Sequence, residues 1–335
     1  MSHRLSFVLV ATAAIGLLLI VIIPSPHARG GPPPPVTILA AASVRGSDRA
    51  ITLTTRAVGG AQLIETRRPR GATALPPLAA SPDGQSLVIR NVDPGQPGPL
   101  IFARADGSQV EVALPGVRGA AFDLSGAWAA VVDLAGAMWR VDAHIGAAVR
   151  LAEGPYGSDP AVLADGRVLA VRLSSVDAPA WSSVVIVDPQ SGVETPVAPS
   201  GGPSDLLVYQ AFPLVDGSVA LARHRIGGGV SVIHLRPDEA ENTVLELEGA
   251  PRVALSPDGA WVAWVVAGRA WVTSTQPDAA ATALGAATGT RFSPDGRLLL
   301  VYSDDRAMVV DHTGNRVADA DPSACWAGDG GGCRP

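Results

Sequence analysis

The side chains best suited to chemistry stand in a few places. Arg223-His224-Arg225 closes an apolar run and precedes Gly227-Gly228-Gly229, and His234 lies one strand further on. Two guanidiniums around an imidazole can hold an anion, because arginine offers a planar fork of donors and histidine titrates near neutrality. The same residues also read as an exposed strand end followed by a flexible turn. Arg67-Arg68-Pro69-Arg70 is a second basic group that could meet anionic headgroups or a partner, or simply form a solvated loop.

Aspartates recur in a fixed setting. The tetrapeptide Ser-Pro-Asp-Gly occurs as Ser81, Pro82, Asp83, Gly84, as Ser256, Pro257, Asp258, Gly259 and as Ser293, Pro294, Asp295, Gly296. These residue types form a turn. Serine suits the first position, proline pre-sets φ at the second, aspartate is tolerated at the third, and glycine at the fourth can enter the left-handed region. The carboxylates are therefore read as turn formers, and no catalytic residue is assigned.

Cys325 and Cys333 are the two cysteines. With no histidine pair nearby they cannot complete a tetrahedral zinc site; in an exported domain they would close a local disulfide around the glycine-rich tail. Asp319 and Asp321 offer too few oxygen ligands for calcium. The chain carries no Gly-x-Ser-x-Gly elbow, P-loop, Gly-x-Gly-x-x-Gly, HExxH or EF-hand loop. No metal and no cofactor are expected.

The elements that would position these groups follow from a repeat. Degenerate turns fill the gaps between the three copies: Asp123-Leu124-Ser125-Gly126, Leu163-Ala164-Asp165-Gly166 and Leu214-Val215-Asp216-Gly217. The turn glycines at 84, 126, 166, 217, 259 and 296 are 37 to 51 residues apart. Apolar strands follow each turn, at Ser86–Arg90, Ala127–Val132, Arg167–Val171, Ser218–Ala222, Trp261–Val266 and Leu298–Tyr302. Third strands come next, at Leu100–Arg104, Met138–Asp142, Ser183–Asp188, Val230–Leu235, Arg269–Ser274 and Arg306–Asp311, with weaker fourth strands such as Val110–Leu114 and Thr243–Glu248. Four short strands per repeat are the pattern of a propeller blade. Composition agrees: 37 Gly and 29 Pro disfavour helices, and 47% hydrophobic against 17% charged residues excludes a disordered chain.

Residues 36–68 hold three more strands, at Val36–Ala40, Ala50–Thr55 and Ala61–Thr66, aligned in the order of the second, third and fourth strands of the preceding blade. The missing first strand is offered by Ser323–Gly330. The expected fold is thus all-β, a β-propeller over residues 36–330 whose closing blade uses both chain ends. Seven blades are preferred, with six as runner-up. Residues 331–335 form a tail. Trp128, Trp261 and Trp264 are expected to pack between blades, with Trp326 pinning the closing strand.

The N-terminus suggests a compartment. Leu5–Ile23 is 19 residues without a charge, about 28 Å as a helix and near the thickness of a bilayer core. It is longer than the apolar part of most signal peptides and lacks a small-x-small cleavage site. Residues 1–23 are therefore expected to be a single transmembrane signal anchor, with secretion after cleavage as the alternative. Residues 24–35, ending in Pro32-Pro33-Pro34-Pro35, form a semi-rigid linker. The formal net charge of −6, with all 25 basic residues arginine, speaks against nonspecific nucleic-acid binding.

Ser-Pro-Asp-Gly followed by an apolar strand, then an apolar strand ending in Asp, resembles the WD40-like repeat of TolB-type β-propellers and the propeller of LpqB-type actinobacterial proteins. The chain lacks the lipid-attachment cysteine of the latter and the Trp-Asp blade ending of true WD40 repeats. The resemblance implies the propeller fold and a range of roles, from scaffold to ligand binder to accessory domain. The function expected is a non-enzymatic, membrane-tethered extracytoplasmic scaffold with a partner in the cell envelope. The alternative is a propeller enzyme of lactonase, lyase or hydrolase type, working at the central channel.

Overall fold

The computed structural model describes residues 36–327 except 47–48, 68–77, 91–99, 105, 107, 115, 178, 180, 198–206, 226–227 and 236–241, and also 10–13 and 16–19. Seven antiparallel four-stranded sheets form the blades of a propeller. Blade 1 begins at Ala79–Ala80, blade 2 at Val117–Phe122, blade 3 at Ala161–Val162, blade 4 at Val208–Pro213, blade 5 at Arg252–Leu255 and blade 6 at Gly289–Phe292. In each of these six the chain steps outward from the inner strand, strand by strand.

Period-2 alternation makes the blades stack. The second strand of blade 2, Trp128–Asp133, is buried along its whole length. Ala129 and Val131 pack with Val88, Leu100 and Phe102 of blade 1. Trp128, Ala130 and Val132 face the other way, onto Tyr156, Val168 and Val185 of blade 3. The same division repeats around the ring, so a separate apolar cluster fills the junction between each pair of neighbouring blades. Gly119 marks the closest approach: a Cβ there would lie 1.6 Å from the Ser158 carbonyl oxygen of blade 3.

Blade 7 is built from both chain ends, and one expectation about it is corrected. Cys325–Trp326 is its inner strand and pairs with Ala61–Arg67, followed by Arg49–Val58 and finally Val36–Gly46. The N-terminal segment therefore runs from the outer edge inward, the reverse of the expected order. An antiparallel meander has the same strand directions read either way, so the repeat alignment could not distinguish the two. Burial decides. Leu63 packs against Leu298, Leu300 and Tyr302 on one side, and Ile64 against Leu87, Ile89 and Ile101 on the other. A strand with apolar groups on both faces belongs beside the inner strand.

Directional bonds lock this closure. The Tyr302 hydroxyl donates to the Ala324 carbonyl at 2.8 Å, and Trp326 Nε1 donates to the Arg291 carbonyl at 3.2 Å. Glu65 accepts from Arg56 at 2.8 Å and from the Asp321 amide at 2.7 Å. Cys325 Sγ is engaged in a disulfide, while its expected partner Cys333 lies outside the described residues.

The described parts of the N-terminal apolar stretch, Val10–Ala13 and Gly16–Leu19, form a two-stranded antiparallel sheet. No helix among the described residues is long and apolar enough to cross a membrane. The rest of the expected span and the linker lie outside the described residues.

Trp326 is fully buried at the closing strand. Trp326→Ala should cost about 3–5 kcal/mol, read as a lower midpoint in urea unfolding, whereas Trp181→Ala, at a side chain 44% exposed, should change stability by less than about 0.5 kcal/mol.

Candidate functional site

The three Ser-Pro-Asp-Gly turns share one hydrogen-bond circuit. Ser81, Ser256 and Ser293 are all buried. Each hydroxyl accepts from the amide five residues on: Ser86 at 2.8 Å, Trp261 at 2.9 Å and Leu298 at 3.0 Å. Each donates to its own turn aspartate, at 2.5 Å to Asp83 and Asp258 and at 2.6 Å to Asp295. The aspartate in turn accepts the amide of the residue after the glycine. In the Asp123-Leu124-Ser125-Gly126 turn the partners are exchanged: Asp123 is the buried member, takes the Trp128 amide at 3.0 Å, and accepts the Ser125 hydroxyl. The turns at Asp165 and Asp216 have leucine in place of the first-position serine, and their aspartates accept the amide of the residue after the glycine at 3.0 Å in both.

These turns meet at one end of the propeller. A Cβ on Gly126 would touch Ser81 Cβ at 3.3 Å, and one on Gly296 would lie 3.5 Å from Ser256 and Pro257. The Val215 amide donates to the Pro257 carbonyl at 2.9 Å, tying blade 4 to blade 5. Outside this inner ring stand the turns from third to fourth strands, opened in blades 2, 3 and 6 by Asp142, Asp188 and Asp311 at the end of the third strand. Asp142 accepts the amides of His144 and Ile145, and Asp188 those of Gln190 and Ser191. The Ile145 amide chiefly holds the Asp142 carboxyl below its ordinary range, as the Ser191 amide does for Asp188. At Asp311 burial pulls upward, but bonds from Thr313 and Asn315 outweigh it and the net shift is again downward. Val36 begins the outermost strand of blade 7 at this same end, as the pairing directions require.

Arg223, His224 and Arg225 sit together at one strand end, and His234 does not join them. His224 pairs with Val230 and His234 with Ala220, so the two histidines sit at opposite ends of one hairpin. His224 packs its ring on Tyr209 with centroids 4.8 Å apart, and Arg225 forms an ion pair with Glu246 at 3.2 Å. Arg223 is half-buried beside them. His234 Nε2 instead meets the Ser218 hydroxyl at 2.6 Å, and that hydroxyl also donates to Asp216 at 2.5 Å. Ser218 is 4% exposed, which makes the trio a brace under the turn. Arg67 ends a strand, and Arg68 and Arg70 lie outside the described residues.

The channel is the other place where propeller chemistry could reside. The seven inner strands carry no His, Asp or Glu. Arg118 and Arg252, both on inner strands, donate to the backbone carbonyls of Leu134 at 3.2 Å and Thr288 at 3.3 Å. Among the described residues no three His, Cys, Asp or Glu side chains are grouped to hold a metal ion.

No family model matches the chain, and no curated protein does. Solved structures do match. An oligogalacturonate lyase in complex with manganese superposes with a TM-score of 0.58 at 13% identity, covering 86% of this chain and 85% of the lyase. An oligogalacturonate lyase from Vibrio parahaemolyticus gives 0.55 at 11% identity, over 88% and 89% of the two chains. The Cps50 (Swd1) propeller domain of Myceliophteria thermophila gives 0.54 at 13%, over 78% and 93%. The fold is that of a β-propeller. At these identities the likeness carries no activity across.

Ser256→Ala strands the Trp261 amide and should destabilise the protein by about 1–3 kcal/mol, read as a lower midpoint in urea unfolding. The lowered carboxyls at Asp142, Asp188 and Asp311 give stability that is complete above the unfolded-state value of about 3.9. It is lost as pH falls through their folded-state values, so the melting temperature should hold down to about pH 4 and drop below it.

Proposed function

We propose that this protein is a non-enzymatic interaction scaffold, tethered to the membrane and facing the outside of the cell. One observation carries the reading. The repeated polar groups of the described blades are consumed by turns and junctions, and the inner strands offer no acid, base or histidine to a channel substrate. The likeness of the repeat to TolB-type propellers supports the same assignment.

The tether is the uncharged Leu5–Ile23 segment. In hydrocarbon a two-stranded sheet leaves both edges unpaired, whereas a helix satisfies every backbone group within itself. A membrane-spanning form of this segment would have to be helical. The 12 residues of 24–35, at about 3.1 Å each if extended, would serve as the spacer between membrane and propeller. The partner is an envelope protein.

Membrane fractionation tests the tether: full-length protein should stay with membranes through a high-salt wash, and its appearance in the medium would overturn it. Affinity capture from solubilised membranes tests the scaffold role: a reproducible envelope partner is expected. Turnover of a sugar, lactone or ester substrate abolished by substitutions at the channel mouth would replace this reading with the enzymatic one.

A further inference from the structure

The large apolar side chains left exposed among the described residues are Leu124, Ile145, Val149, Trp181, Val193 and Val215. Val149 lies on the outer strand of blade 2 and Trp181 at the opposite end of blade 3, but the other four share one end of the propeller. Leu124 and Ile145 lie in the inner and outer turns of blade 2, Val193 in the outer turn of blade 3, and Val215 in the inner turn of blade 4. All four are at the end of the propeller that carries the Ser-Pro-Asp-Gly turns, on three consecutive blades. Lone exposed apolar residues are ordinary on a soluble surface, but a concentration of them on one face marks an interaction site.

The turns need none of these side chains. What each hairpin requires is a backbone bond to the glycine and an aspartate or hydroxyl, and these are supplied by Asp123, Asp142, Asp188 and Asp216. Pro82, Pro257 and Pro294 occupy the second turn position in the repeats with full motifs; Leu124 and Val215 stand there in blades 2 and 4. Valine and leucine gain nothing locally from full exposure at that site, 76% for Val215 and 56% for Leu124.

Charge on the face selects what could cover it. Asp142, Asp188 and Asp216 belong to the same turns as the apolar positions, and the lowered Asp142 and Asp188 carboxyls are ionised at neutral pH; Arg104 from blade 1 is held by the Ala143 carbonyl at 2.9 Å. Arg167, on the same set of turns, is taken up by Asp165 at 2.6 Å. An apolar surface interleaved with carboxylates complements a segment carrying both apolar and cationic side chains, and it repels an anionic one.

We infer that the turn-bearing face of blades 2 to 4 docks a polypeptide segment that presents arginine or lysine together with leucine-like side chains. The inference rests on the scaffold reading and supplies the chemistry of its partner. In an extended segment every second side chain faces the same way. A segment with arginine and leucine taking turns at those positions meets the carboxylates and Leu124, Ile145, Val193 and Val215 from one side.

The test uses the full-length protein in detergent and a fluorescently labelled peptide in which arginine and leucine alternate at every second position with serine between them, with a glutamate-for-arginine peptide as control. Two variants separate the contributions. Leu124→Ser/Val215→Ser removes the apolar groups at exposed positions. Asp142→Asn/Asp188→Asn/Asp216→Asn keeps an oxygen acceptor in each turn and removes the charge. The arginine peptide should bind, the glutamate peptide should not, and each variant should weaken binding about tenfold or more. Raised salt should weaken the wild type and leave the asparagine variant nearly unmoved.

Absence of arginine-peptide binding, or equal binding by the wild type and both variants, overturns the inference. So does a concentration-dependent dimer abolished by Leu124→Ser/Val215→Ser, which would make a second copy the occupant. Binding to vesicles containing anionic lipid, lost in the same variant, would overturn it in favour of a membrane surface. A captured envelope partner that ignores both variants leaves the scaffold role standing and sinks only this face; failure to capture any partner counts against the scaffold role itself.

Discussion

The structure depends on one constraint: a blade strand is apolar on both faces and must be covered on both. Trp128, Ala129, Ala130, Val131 and Val132 divide alternately between two neighbours. No blade can satisfy that demand alone, and an open row of blades would leave its two ends wet. The ring is the arrangement in which every blade has two neighbours, and it removes the terminal faces that would otherwise invite association. The low charge of the chain is a consequence, because most strand positions have no solvent side on which to place one.

Closure then becomes the structural problem, and the last few residues solve it. Cys325–Trp326 is short, yet it brings Trp326 into the junction with blade 6 and Cys325 into the junction with blade 1. Hydrogen bonds from Tyr302, Trp326 and the Asp321 amide fix its position. The first and last blade-forming segments of the chain meet at this seam. Val36, the first residue of the outermost strand of blade 7, also lies at the turn-bearing end, the same end as the proposed docking face.

The legible parts were those determined locally. A Ser-Pro-Asp-Gly turn is decided within six residues, and the strands around it appeared where the repeat put them, as at Leu100–Arg104, Met138–Asp142 and Val230–Leu235. The blade number followed from repeat length and the spare segment near residue 36. The order of strands in the closing blade was not legible, since either order preserves every strand direction; the two-sided burial of Leu63 and Ile64 settles it. The separation of His224 from His234 was not legible either. They are ten residues apart along the chain, but a hairpin folds between them and sends them to opposite rims. The docking face was hidden because Leu124 and Val215 read as degenerate turn positions. Only once the turns of three blades are placed at one end do these substitutions form a surface. The signal was present in their side chains, which depart from proline at the position where the other turns keep it.

A single propeller can therefore devote almost all of its polar chemistry to holding itself together and still present a distinctive surface, through the few turn positions that folding leaves free. The most direct test of this account is a hydrogen-exchange footprint of the captured partner on the full-length protein. The account predicts slowed exchange in the turns at 123–126, 142–146, 188–193 and 214–218, with the opposite rim unchanged. Protection confined to that opposite rim, around Arg223–Arg225, or to the inner strands along the channel, would contradict it.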